Sequence, residues 1–69
     1  MQEIEIQLNG EKFKLPAGAT VSDLVRRLDL AEDRVAVELD RNIVGRRDWT
    51  LRRLEPGAAV EIVQLVGGG

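Results

Sequence analysis

The part of this sequence best suited to chemistry is its end. Gly67-Gly68-Gly69 follows directly on a stretch of strong strand character, Ala59 to Val66. At an ordinary glycine usage of roughly 7%, two glycines in the last two positions arise by chance in about 0.5% of chains, so chance is a poor explanation. A flexible linker is one alternative. The other is a chain end shaped to enter an enzyme: three extended residues reach about 10 Å beyond a fold, and without side chains they pass through a slot too narrow for any other residue. A partner can then enclose the carboxylate of Gly69. A free carboxylate is a poor electrophile because its charge is delocalised. As an acyl-adenylate it carries a leaving group that a sulfur nucleophile displaces, and the product is a C-terminal thiocarboxylate. This expectation requires that the natural chain end at Gly69 or be processed to expose it.

Little else in the chain points to chemistry of its own. There is no histidine for acid–base work near neutral pH and no cysteine for thiol catalysis. The same two absences remove the usual ligands of a structural zinc site and any disulfide. No glycine-rich phosphate loop, paired acidic motif or metal-ligand spacing is present. The expectation is a carrier acted on by partner enzymes, with no cofactor held permanently. Ten basic and twelve acidic residues leave a net charge of -2, which argues for neither a nucleic-acid nor a membrane partner. The doublets Arg26-Arg27, Arg46-Arg47 and Arg52-Arg53 are interleaved with acidic residues and read as solvated surface. No apolar run has the length of a membrane span and Met1-Gln2-Glu3 does not open a secretory signal, so the expected location is cytoplasmic.

The elements that must present the tail follow from periodicity. Residues 3 to 8 alternate, with Ile4, Ile6 and Leu8 on one side and Glu3, Glu5 and Gln7 on the other, the pattern of a half-buried strand. Asn9-Gly10 supplies a tight hairpin turn, and Glu11 to Leu15 returns with Phe13 and Leu15 inward until Pro16 ends the strand. Thr20 and Asp23 form a capping box ahead of Val21, Leu24, Val25 and Leu28, which predicts a short helix over about Val21 to Leu28 and a loop from Asp29 to Asp33. Val35 to Leu39 is a third strand, Asp40-Arg41-Asn42 a polar turn, and Ile43-Val44 a short neighbour. Gly45 to Leu54 lacks alternation and reads as an irregular connection with a helical turn. Within it Trp49 is expected to close one end of the core with its indole nitrogen bonded to a polar group. Pro56-Gly57 turns the chain into the last strand, Ala59 to Val66.

This is an α+β layout: a mixed sheet of four to five strands with one main helix across one face, a single domain over residues 1–66 and a flexible tail over 67–69. The last strand has apolar residues on both faces near its end. With Val60 and Ile62 in the core, Val63 and Leu65 are expected to be partly exposed, forming an apolar partner surface beside the tail.

Taken together, Ile4-Glu-Ile-Gln-Leu-Asn-Gly10, Ala19-Thr-Val-Ser-Asp-Leu24, Val35-Ala-Val-Glu-Leu39, Ile43-Val44 with Arg46 and Trp49, and Val60-Glu-Ile-Val-Gln-Leu-Val-Gly-Gly-Gly69 resemble the sulfur carrier proteins of thiamine biosynthesis, the ThiS family, over nearly the whole chain. The resemblance implies a ubiquitin-like β-grasp fold with the first and last strands as parallel neighbours. It also implies an E1-like enzyme that spends ATP to adenylate Gly69, a sulfur-donating enzyme working through a persulfide, and thiazole synthase as acceptor. Alone, the chain is expected to be a monomer. Gly68 and Gly69 match the family's terminal pair. Similar proteins often carry asparagine at the place of Asp40, proline near Gly45 and an acidic residue at the place of Ala58, loop differences that bear on partner preference. Two other readings stay open: a β-grasp carrier of molybdopterin, tRNA or amino-acid sulfur, and a ubiquitin-like modifier joined to lysines. A plain interaction domain with an inert glycine tail is the remaining one.

Overall fold

The computed structural model describes residues 2–65. In chain order these form β1 (Glu3–Leu8), β2 (Glu11–Pro16), α1 (Val21–Arg27), a 3-10 turn (Glu32–Arg34), β3 (Val35–Leu39), β4 (Asn42–Val44), a second 3-10 turn (Arg46–Asp48) and β5 (Ala59–Gln64). Among the described residues the strands make one five-stranded sheet in the order β2-β1-β5-β3-β4. The last strand in sequence is therefore the middle strand in space. It runs parallel to β1 and antiparallel to β3, as the resemblance implied.

Each hairpin is set by its turn. Asn9 and Gly10 both take positive φ, 50° and 85°, and so do Asp40 and Arg41, 50° and 73°. Such two-residue turns match the twist of the strands they join. Asn42, expected in the second turn, instead begins β4, and its side-chain amide donates to the carbonyl of Asp40 at 3.1 Å. Pro16, expected to end β2 from outside, is its last paired residue, opposite Glu3. On an edge strand the missing N–H of proline costs the ladder nothing.

The start of α1 is held as its sequence required. The Asp23 N–H donates to the Thr20 hydroxyl at 3.2 Å, and the Thr20 N–H donates to the Asp23 carboxylate at 2.9 Å. The next two N–H groups, which a helix leaves without partners, are taken by the long connection: Val21 donates to the carbonyl of Arg52 and Ser22 to that of Trp49. These bonds give the connection its course even though its sequence has no period. The helix stops at Arg27, one residue before the expected end. Asp29 turns to φ 58°, and the Asp29 and Leu30 N–H groups donate back to the carbonyls of Arg26 and Val25. This is a left-handed helix cap with aspartate in the place usually given to glycine. The loop expected over Asp29 to Asp33 contains the 3-10 turn at Glu32–Arg34.

The core lies between α1 and one face of the sheet. Val21, Leu24 and Val25 of the helix pack with Ile6, Leu15, Val37 and Val60 of the strands, and these seven side chains are almost wholly buried. Trp49 is buried and its indole N–H donates to the Val44 carbonyl at 2.9 Å. Leu54 joins the same core, whereas Leu51 faces outward. The last two residues of the predicted domain and strand limit fall on either side of the described region: Leu65 is described, while Val66 and the expected tail, Gly67 to Gly69, lie outside the described residues.

Replacing Trp49 with Phe removes the indole hydrogen bond to the buried Val44 carbonyl, so the variant is expected to lose about 1–3 kcal/mol. A urea titration checks this: the midpoint falls and the slope stays that of the wild type.

Candidate functional site

The predicted reactive residue, Gly69, and its neighbours Gly67 and Gly68 lie outside the described residues, so the geometry in hand is that of the strand leading to them. β5 emerges from the middle of the sheet. Its parallel pairing with β1 covers only Gln7↔Ala59 and Leu8↔Val60, because β1 then turns away at Asn9. Its antiparallel pairing with β3 runs further, to Val35↔Gln64, and the Leu65 N–H donates to the Arg34 carbonyl at 2.7 Å. The sheet thus supports β5 on one side up to residue 65.

Two side chains reinforce this strand from its flanks. At its start, the Ala59 N–H donates to the Asp40 carboxylate at 3.0 Å, while the Asp40 N–H donates to the Ala59 carbonyl at 2.7 Å. Further along, the Ile62 N–H donates to Asn9 Oδ1 at 2.9 Å and Asn9 Nδ2 donates to the Ile62 carbonyl at 3.4 Å. Both gripping residues are the first positive-φ residue of a hairpin turn. Sequence reading assigned Asn9 and Asp40 to turns and missed their second task. The signal available was their type, since asparagine and aspartate tolerate the left-handed region and also carry hydrogen-bonding groups.

Val63 and Leu65 stand on the face of the sheet that α1 does not cover, with 55% and 54% of their surfaces exposed. Val63 lies opposite Ala36. Ile43, read from sequence as half of an apolar pair, is separated from its neighbour by the strand alternation: Val44 is buried and Ile43 is 76% exposed on the open face, opposite Glu38. Glu38 in turn lies opposite Glu61. Two like charges facing each other across a strand pair cost a little stability, and here they border the apolar residues. A partner offering an apolar surface and a cationic group complements this face.

The remaining features lie elsewhere. The arginine doublets are exposed. Arg26 meets Glu32 at 3.6 Å on the surface, a pair that adds little to stability. An open depression beside the β2–α1 connection is lined by Pro16, Gly18, Asp23 and Arg26. Since β5 runs parallel to β1, this depression opens near the end of the sheet opposite to the one from which β5 departs. Among the described residues no group of three or more acidic residues is placed to hold a metal ion, and no helix is long and apolar enough to cross a membrane.

With this geometry in view, comparison with known proteins places the chain. The ThiS family matches residues 2–69. The chain belongs to the ThiS family. A solved structure of a thiamine biosynthesis protein (ThiS) from Geobacter metallireducens superimposes with a TM-score of 0.79 at 26% identity, covering 96% of this chain and all of that one. The five-stranded mixed sheet with its single crossing helix is thus the β-grasp fold of a ThiS protein. The chain is 27% identical over 66 residues to the sulfur carrier protein ThiS of Escherichia coli, covering 96% of this chain and all of that protein. It is 31% identical over 68 residues to an uncharacterized protein, ycf40, of Porphyra purpurea, covering 99% of this chain and 96% of the relative. It is also 35% identical over 66 residues to a thiazole synthase of Magnetococcus marinus; there it covers 96% of its own length but spans only 20% of the relative.

Because Val63 and Leu65 are each more than half exposed, changing both to threonine, a residue favoured in strands, is expected to alter stability by no more than about 0.5 kcal/mol. Thermal melting of the double variant checks this, and a drop of several degrees would mean that these side chains belong to the core.

Proposed function

We propose that this ThiS-family chain is a sulfur carrier whose Gly69 carboxylate is adenylated by an E1-like partner, converted to a thiocarboxylate and consumed by thiazole synthase in forming the thiazole of thiamine. The sulfur-carrier role is supported by the family match, the E. coli relative and the Geobacter structure. The observation that carries the finer reading is that the family match extends through residue 69 and so takes in Gly67, Gly68 and Gly69. Thiazole synthase as acceptor is supported by the Magnetococcus relative of that name, a fifth of which resembles this chain.

In the first step a carboxylate oxygen of Gly69 attacks the α-phosphorus of ATP and pyrophosphate leaves. A persulfide on the sulfur-donating enzyme then attacks the activated carbonyl and AMP leaves. A second thiol reduces the resulting acyl disulfide, which frees the thiocarboxylate and returns the donor as a disulfide. Partner enzymes supply ATP, base and nucleophile. The chain supplies the end group and the surface by which it is held. Val63, Leu65 and Ile43, bordered by Glu38 and Glu61, form that surface, and burying such exposed apolar side chains against a partner removes them from water at about 25 cal/mol per Å².

Incubation with ATP, an adenylating enzyme and a sulfur source followed by intact mass measurement tests the chemistry: replacing one oxygen by sulfur adds roughly 16 Da. No gain under conditions that convert the E. coli relative would overturn the carrier reading. Gly68→Ala is expected to retain the wild-type melting temperature yet to be converted poorly, because a methyl group collides in a slot shaped for glycine; normal conversion would remove the slot argument. The Val63 and Leu65 double threonine variant is expected to need about tenfold more carrier for half-maximal conversion. An unchanged requirement would show that the partner docks on a different face.

A further inference from the structure

The carrier reading leaves open how the fold aims its C-terminal segment, and the residues around Ile62 supply an answer. A parallel strand pair continues only while both chains run on. Gln7 donates to the Ala58 carbonyl at 2.8 Å and Asn9 donates to the Val60 carbonyl at 2.9 Å, so the next ladder position requires an acceptor for the Ile62 N–H and a donor for its carbonyl. The main chain of β1 has no further residue to offer there, because Asn9 takes φ 50° and opens the hairpin turn. The Asn9 side chain takes over: Oδ1 accepts from the Ile62 N–H and Nδ2 donates to the Ile62 carbonyl. An amide side chain carries both groups that a strand residue would supply, and asparagine is among the few non-glycine residues that enter the left-handed region readily. Aspartate keeps the acceptor and loses the donor. Glycine keeps the backbone and loses both.

Past Ile62 this flank is open. The bond from the Leu65 N–H to Arg34 makes those two residues a hydrogen-bonded pair of the antiparallel ladder, so the alternation turns the N–H and carbonyl of Gln64 away from β3. Among the described residues no bond is made to them. Among the described residues Asn9 is therefore the last group that holds β5 from the β1 side, and Leu65 is the last held from the β3 side.

We propose that Asn9 is a positioning residue: by standing in for the missing ladder residue it fixes the direction in which β5 leaves the sheet, and a partner that seizes the C-terminal end depends on that direction. The inference rests on the carrier reading. Asp40 offers an internal control. It grips the same strand with the same kind of backbone turn, but at Ala59, where the strand enters the sheet. Loss of either grip loosens β5; only loss of Asn9 frees its exit.

The experiment compares Asn9→Gly, Asn9→Asp and Asp40→Gly in the full chain, using an adenylating enzyme, ATP and a sulfur source, with amide hydrogen exchange measured on the same proteins. Asn9→Gly is expected to speed exchange at the Ile62 amide about tenfold and to raise the KM of conversion about five- to tenfold with kcat unchanged. Asn9→Asp, which keeps the acceptor, falls between it and wild type. Asp40→Gly lowers the melting temperature and speeds exchange at Ala59 while KM stays at the wild-type value. The inference is overturned if Asn9→Gly keeps the wild-type KM, or if Asp40→Gly raises KM as much. Failure of the wild-type chain to be converted at all is a distinct result, which removes the carrier reading and this inference together.

Discussion

The structure depends on the insertion of β5, the last strand to be made, between two hairpins that are each complete without it. β1 with β2, and β3 with β4, are local units joined by two-residue turns. Neither can bury its inner face alone, since a lone hairpin is marginal in water. β5 links them by pairing with β1 on one side and β3 on the other, and Val60 then completes the layer beneath α1. Both hairpin turns lean on the same strand: Asp40 and Asn9 bind its backbone at Ala59 and Ile62. The segment that leads to the C-terminal glycines is thus the one on which closure of the sheet depends.

A single helix covers a single face, and the consequence reaches function. Side chains alternate along a strand, so each inward residue brings a neighbour that the fold cannot bury. On most strands those neighbours are charged or polar, as at Glu5, Lys12, Lys14 and Glu38. At Ile43, Val63 and Leu65 they are apolar and exposed. Leaving them in water contributes nothing to folding, whereas against a partner the same side chains can be buried. The core and the proposed docking face are two sides of one sheet.

The elements legible in the sequence were those with local causes. The Asn9-Gly10 turn, the Thr20 and Asp23 capping box, the alternation of residues 3 to 8 and the bonded indole of Trp49 all stand as their residue types required. The extent of α1 was read one residue too long because aspartate, not glycine, takes the left-handed position at Asp29. The 3-10 turn at Glu32–Arg34 passed as loop because three residues carry no periodic signal. The exposure of Val63 and Leu65 followed from the face that Val60 and Ile62 occupy, but that of Ile43 did not, since an apolar pair on a three-residue strand does not reveal which member points inward.

By itself, then, the sequence determined the strands, the helix, their turns and the family to which the chain belongs, because each rests on contacts between residues close in sequence or on a pattern carried by the whole chain. Only the tertiary structure decided the route of the connection from Gly45 to Pro56, which is held by bonds from Val21 and Ser22 to carbonyls about thirty residues away, and the grip of Asn9 on Ile62, fifty-three residues along the chain. Such bonds leave no mark on the local pattern. A turn residue reads as a turn residue until the fold brings a distant strand to its side chain.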